Sequence, residues 1–148
     1  MKQISSLFLL IIILFTGCNS GQASDNLDWK TNLEQAVTQA KKENKAVLVN
    51  FTGSDWCIWC KRLTSEVFDK NEFKEYADKN LVLVKLDFPR DLPQTQETKL
   101  YNNSLAQKYG IQGFPTILIM NSKGELVAKT GYQPGGPANY IKHIQSYL

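Results

Sequence analysis

Ala46-Val47-Leu48-Val49-Asn50-Phe51-Thr52-Gly53-Ser54-Asp55-Trp56-Cys57-Ile58-Trp59-Cys60-Lys61 is the stretch on which the reading of this chain turns. Ala46 to Phe51 is dense in Val and Leu and reads as a buried strand. Thr52-Gly53-Ser54-Asp55 is loop. From Cys57 a helix begins, with Cys60, Leu63, Thr64, Val67 and Phe68 on one face. Two cysteines three residues apart at a helix start share a face and can close a small disulfide ring. Cys57 stands where unpaired backbone N–H groups and the helix dipole favour negative charge, so its thiolate is the attacking one. Cys60, further into the helix, is placed to displace whatever thiol Cys57 has captured.

Other readings of the pair exist. A permanent disulfide usually joins distant segments, since a short loop gains least from closure. Zinc needs four ligands, and beyond this pair the chain offers Cys18 and the single histidine, His143. Two adjacent soft thiolates can hold Cu(I), yet the two methionines, Met1 and Met120, lie far from the pair in sequence. No glycine-rich nucleotide fingerprint occurs, so no organic cofactor is implied.

Working outward, Asp28 to Asn44 carries Trp29, Leu33, Ala36, Val37 and Ala40 at helical spacing, with Asn44 as a left-handed stop. Asp69 and Glu72 fit a capping box for a short helix bearing Phe73, Tyr76 and Ala77. Leu81 to Asp87 is a second strand, and Phe88 to Pro93 a loop. Gln94 to Tyr109 reads as a helix presenting Leu100, Leu105 and Tyr109, ended by Gly110. Thr116 to Met120 and Glu125 to Thr130 form a hairpin, and Pro137 to Leu148 a last helix with Ile141, Ile144 and Leu148 inward. The expected class is α/β, a central mixed sheet flanked by helices.

The amino terminus reads as a sorting signal. Met1 to Ser6 contains one lysine, Leu7 to Phe15 is an uninterrupted apolar run, and Thr16-Gly17-Cys18 follows. That run is far short of the ~20 apolar residues that span a bilayer. Phe15-Thr16-Gly17-Cys18 resembles the lipobox of bacterial lipoproteins, which implies acylation of Cys18 and removal of residues 1–17. Residues 18–26 then form a lipid-bearing, small and polar tether, and 27–148 a single domain. Lipidation also accounts for the odd cysteine count of three, leaving an even pair. Asn19 lacks the acidic charge that marks inner-membrane retention in some bacteria, which by the same resemblance tilts the anchor towards the outer membrane. The formal charge of +3 includes Lys2 of the signal, and Lys and Arg alternate with Asp and Glu. This is a solvated surface and not a nucleic-acid footprint.

Asp55-Trp56-Cys57-Ile58-Trp59-Cys60-Lys61 after a Val-rich strand, with Gly113-Phe114-Pro115-Thr116 downstream, resembles the thioredoxin superfamily over about Leu27 to Leu148. Phe51 to Cys57, with Asp87-Phe88-Pro89 and Gly131-Tyr132, is similar to secreted bacterial thioredoxin-like proteins and to the carboxy-terminal domain of membrane thiol:disulfide electron transporters. The resemblance implies the thioredoxin fold, catalysis through Cys57 and Cys60, and a cis Pro115 lying against their disulfide. It puts Phe114 beside the substrate, with Trp56 and Trp59 as an apolar docking rim. Trp56 packing under the loop is the competing reading. The implied activity is thiol-disulfide exchange in the bacterial cell envelope on protein or small-molecule disulfides, served by an envelope redox partner. A Cu(I)-handling protein and a non-catalytic binding domain of the same fold are the alternatives.

Two departures from the superfamily pattern stand out. Where relatives bury an acid on the strand before the cysteines, this chain has Asn50, which cannot titrate; Asp55 is placed either to serve through water or to cap the loop, and Lys85 on the next strand either matches a lysine found near that acid in relatives or is solvated. Ile58-Trp59 offers neither the histidine of strong oxidants nor the Gly-Pro of general reductants. Without an imidazolium the Cys57 thiolate lacks one stabiliser, which favours a reducing or intermediate potential.

Overall fold

A computed structural model describes residues 26–148. The signal, Cys18 and nearly all of the tether lie outside the described residues.

In chain order the elements are β1 (Trp29–Lys30), α1 (Leu33–Glu43), β2 (Ala46–Thr52), α2 (Ile58–Leu63), a wide π turn (Thr64–Phe68) and α3 (Asn71–Asn80). There follow β3 (Leu81–Asp87), α4 (Gln96–Lys108), β4 (Thr116–Met120), β5 (Leu126–Thr130) and α5 (Gly136–Gln145). The five strands make one sheet in the order β1-β3-β2-β4-β5. β1, β3 and β2 run parallel, and β4 and β5 are antiparallel to their neighbours.

Alternation along the central strands explains why they read as largely apolar runs, broken only by Asn50 in β2 and Lys85 in β3 before their polar last residues. Val47, Val49 and Phe51 of β2 pack with Val82, Val84, Leu118 and α1, whereas Leu48 packs with Leu83, Ile117, Ile119, α3 and α5. Both faces are covered, so every position of the strand is buried. Phe73, Phe68 and Tyr140 form an aromatic cluster under one face, with ring centroids 5.0 to 6.5 Å apart.

Several expected elements change in the fold. Trp29 and Lys30 are not helical: they pair with Leu83 and Val84, and the helix starts only at Leu33. Its cap is Asn32, whose side chain accepts the Gln35 N–H at 2.8 Å. Asn44 does end this helix, at φ 52°. The capping box is absent, because Asp69 is spent closing the π turn, its N–H bonded to Thr64 O at 2.9 Å, and Lys70 precedes α3 without a side-chain bond. Thr64 is exposed, since the π turn rotates it off the buried face.

Leu100 is 61% exposed; the inward face of α4 is Tyr101, Asn102 and Leu105. Two of those are polar, which hid the face from apolar periodicity. Leu148 likewise points outward, because α5 stops at Gln145 and Tyr140, wholly buried, fills the core instead.

Candidate active site

β2 and β3 end together, with Thr52 opposite Asp87, and the Phe88 N–H returns to Thr52 O at 2.8 Å. The loop between β2 and α2 is fastened to this strand end at three points. The Asp87 carboxylate accepts the Ser54 N–H at 2.9 Å and the Ser54 hydroxyl at 2.5 Å. The Trp56 indole N–H donates to Phe88 O at 2.8 Å. The Asp55 carboxylate accepts the backbone N–H groups of Arg90, Asp91 and Leu92, the shortest at 2.7 Å. Desolvation pushes the Asp55 carboxyl up, but those N–H bonds outweigh it and hold it below its ordinary range. Asp55 therefore caps the loop after β3, and its low pKa makes it a poor proton acceptor.

Gly53 is required by close approach: a Cβ there would stand 2.5 Å from the Trp56 indole. The loop delivers Cys57 to the N-cap of α2, with its N–H on Gly53 O at 2.9 Å. Cys57 and Cys60 are joined as a disulfide, Cα atoms 5.2 Å apart. The Cys60 N–H points at Cys57 Sγ at 3.1 Å. The same donor stabilises a thiolate once the bond is reduced. The sulfurs sit low: Cys57 is 5% and Cys60 3% exposed, a much smaller difference than the helix position of each suggested. Between them, Ile58 and Trp59 stand out at 71% and 49% exposed.

The two tryptophans part ways. Trp56 turns inward to Phe114, edge to face at 5.8 Å, in a row continued by Phe88 and Phe51. Trp59 turns the other way, 5.4 Å from Tyr132 and under the Arg62 guanidinium at 5.1 Å. Glu66 joins that group, bonding Arg62 Nε at 3.1 Å and accepting the Tyr132 hydroxyl at 2.5 Å. The hydrogen bond to Glu66, with desolvation, raises the Tyr132 pKa. They do not build a single rim.

The Phe114–Pro115 peptide bond is cis. Gly131 packs its backbone on Pro115, where a Cβ would meet Pro115 O at 3.1 Å. Behind the disulfide, a cleft of about 280 Å³ is lined by Cys60, Asn50, Thr52, Lys85 and Asp69, among others. Asn50 is 4% exposed and its Oδ1 has no hydrogen-bond partner. His143 lies elsewhere, its Nε2 2.8 Å from Thr130 Oγ1. Sequence reasoning missed Arg90 and Glu66, and met Tyr132 only as part of a resemblance, because their partners lie far along the chain or in a loop without periodicity.

This arrangement supports reversible opening of a small disulfide: one sulfur at a helix start, its partner three residues on, and behind them a cleft of mixed polar and apolar lining. Residues 33–145 match the family of thioredoxin-like domains. The chain is 35% identical over 126 residues to the disulfide bond reductase DsbH of Chlamydia pneumoniae, covering 85% of this chain and 75% of that protein. It is 30% identical over 117 residues to the thiol:disulfide interchange protein DsbD of Colwellia psychrerythraea, but spans only 18% of it. Among solved structures, a DsbH oxidoreductase superposes with a TM-score of 0.78 at 31% identity, over 97% of this chain and 94% of that one. The reduced carboxy-terminal domain of DsbD from Neisseria meningitidis, 22% identical, gives 0.60 over 78% of this chain and 94% of that one, a likeness of fold.

Proposed function

The chain belongs to the family of thioredoxin-like domains and is a thiol-disulfide oxidoreductase; from that footing we propose that it works as a disulfide reductase anchored to the bacterial cell envelope by a lipid on Cys18. The observation that carries the chemistry is the Cys57–Cys60 disulfide at the start of α2, with the Cys60 N–H aimed at Cys57 Sγ. In the reduced form the Cys57 thiolate attacks a substrate disulfide and expels one substrate thiolate, leaving a mixed disulfide. The Cys60 thiol, as thiolate, then displaces the second, so the chain loses two electrons and the substrate gains them. A dithiol partner in the envelope returns the electrons.

Three further roles belong to this reading. Pro115 and Phe114 border the substrate, supported by the Trp56–Phe114 contact at the edge of the active-site loop. Trp59 is a docking surface, supported by its exposure beside the pair. Signal cleavage before Cys18 rests on the sequence Phe15-Thr16-Gly17-Cys18, and the neutral Asn19 favours the outer membrane.

The reducing direction is supported by the missing imidazolium between the cysteines and by the similarity to a disulfide bond reductase of Chlamydia pneumoniae. The test is to equilibrate the full chain in dithiothreitol or glutathione buffers, alkylate, and weigh the peptide that carries the pair. A potential near about −270 mV supports a reductase; one near about −120 mV makes it an oxidant. A pair with no reversible couple ends the enzyme reading. Palmitate labelling of wild type and Cys18→Ser checks the anchor.

A further inference from the structure

We infer that Arg90, whose guanidinium lies over the ring of Trp56, the residue before the attacking cysteine, is a carboxylate-binding position that selects disulfides carrying an anionic group next to the sulfur. The inference rests on the oxidoreductase reading above and names its substrate class.

Four observations carry it. First, Arg90 is fixed at its base: its own N–H and those of Asp91 and Leu92 all donate to the Asp55 carboxylate, so the loop that bears it is tied to the residue two before Cys57. Second, it is fixed at its head, the guanidinium carbon 3.9 Å from the centre of the Trp56 ring. Trp56 is itself locked by its bond to Phe88 O and its contact with Phe114. Stacking uses the flat face of a guanidinium and leaves its N–H edge free for a carboxylate.

Third, among the described residues Arg90 makes no ion pair, and the two carboxylates that tie down the active-site loop are engaged by other groups. Asp55 takes three backbone N–H groups and Asp87 takes Ser54. Asp91 is adjacent in sequence but outside ion-pair distance. Fourth, a second cation, Lys61 on α2, reaches back to the active-site loop: its Nζ donates to the Asp55 carbonyl at 2.7 Å, and it makes no ion pair among the described residues either. An exposed, mobile arginine loses much side-chain freedom on binding; one already stacked loses less, so its net contribution to a bound carboxylate is larger.

The test uses small disulfides of different charge. The full chain is reduced with dithiothreitol, freed of reductant, and mixed with hydroxyethyl disulfide (neutral), dithiodipropionate (a dianion) or cystamine (a dication). Oxidation of the Cys57–Cys60 peptide is followed by quenched alkylation and mass. Each rate is divided by that of free dithiothreitol with the same disulfide, which removes intrinsic reactivity. In wild type the normalised rate with the dianion exceeds that with the neutral compound, and the dication is slowest. Arg90→Gln lowers the dianion-to-neutral ratio by about fivefold, the size of one exposed charge pair, and Arg90→Glu inverts the order. Raising the salt to about 1 M shrinks the wild-type ratio towards that of Arg90→Gln. Equal ratios in wild type and Arg90→Gln overturn the inference even where the neutral disulfide oxidises the pair. A pair that none of the three oxidises overturns the oxidoreductase reading first, and this one with it.

Discussion

Asn50 and Lys85 are partners across the parallel β2–β3 pair, and both line the cleft behind Cys60. Asn50 Oδ1 is buried there without a hydrogen-bond partner, which costs stability unless water or a reacting proton uses it. Asn50→Leu, similar in size and apolar, raises stability by about 1 kcal/mol in urea denaturation. Asn50→Asp does the opposite, in a pH-dependent way. Burial raises the new carboxyl above its unfolded value of about 3.9, so the variant matches wild type near pH 4 and falls behind as pH rises through the folded value. Equal stability of the Asp variant at pH 4 and pH 8 contradicts this.

The roles of the cysteines separate by trapping. Cys60→Ser accumulates a mixed disulfide with substrate, seen as added mass removable by dithiothreitol. Cys57→Ser accumulates none and turns over at least about a hundredfold more slowly than wild type. The reverse pattern would make Cys60 the attacking group.

Gly53→Ala drives a methyl group into the indole of Trp56, 2.5 Å from an unshifted ring. The ring must leave Phe88 O, Phe114 and Arg90. The expected loss is about 1–3 kcal/mol, with a red-shifted Trp fluorescence, and a crystal or solution structure would show the ring moved.

Tyr101 joins α4 to the start of α1, its hydroxyl donating to Glu34 Oε2 at 2.6 Å and accepting the Leu33 N–H at 2.7 Å. Tyr101→Phe leaves that N–H unpaired and lowers stability by about 1 kcal/mol at neutral pH. Burial first, and then Glu34, pushes the Tyr101 hydroxyl up to about 12. A raised value in the fold means stabilisation that is whole below the unfolded value of about 10 and fades as pH climbs to about 12. The gap between wild type and Tyr101→Phe therefore narrows across that window.

For Asp55 the sign reverses. Its carboxyl is held low in the fold, so its bonds to residues 90–92 are intact above about pH 3.9 and loosen as pH falls through the folded value. Asp55→Ala accelerates hydrogen exchange of the Arg90, Asp91 and Leu92 amides by about tenfold or more at neutral pH. Unchanged exchange would mean that the loop is held by other contacts.

Much of this molecule is legible in its sequence, for reasons specific to each part. β2, β3 and β4 are apolar at nearly every position because helices cover both sheet faces, and such runs are hard to mistake. Cys57 and Cys60 are legible because their spacing permits the ring while the strand before them and Phe114-Pro115-Thr116 after them supply the context. β1 is not legible, since two residues make a strand only by lying against Leu83 and Val84. Nor is the inner face of α4, where Tyr101 serves α1 and Asn102 donates to Asp87 O at 2.8 Å. Polar groups that point inward to satisfy distant backbone leave no apolar period behind. Arg90 and Glu66, and the role of Tyr132, escape for the same cause: their meaning lies in a partner tens of residues away.

The register of β1 sets which way the domain faces when it is pulled. β1 runs parallel to β3 and so heads towards the edge that bears Cys57, whereas Leu27 enters beside Leu81 and Ala77, at the far end of the sheet. A leash attached ahead of Leu27 thus draws on the back of the domain, opposite its reactive edge. With the lipid anchor proposed above, Cys57, Trp59 and Arg90 would face away from the membrane.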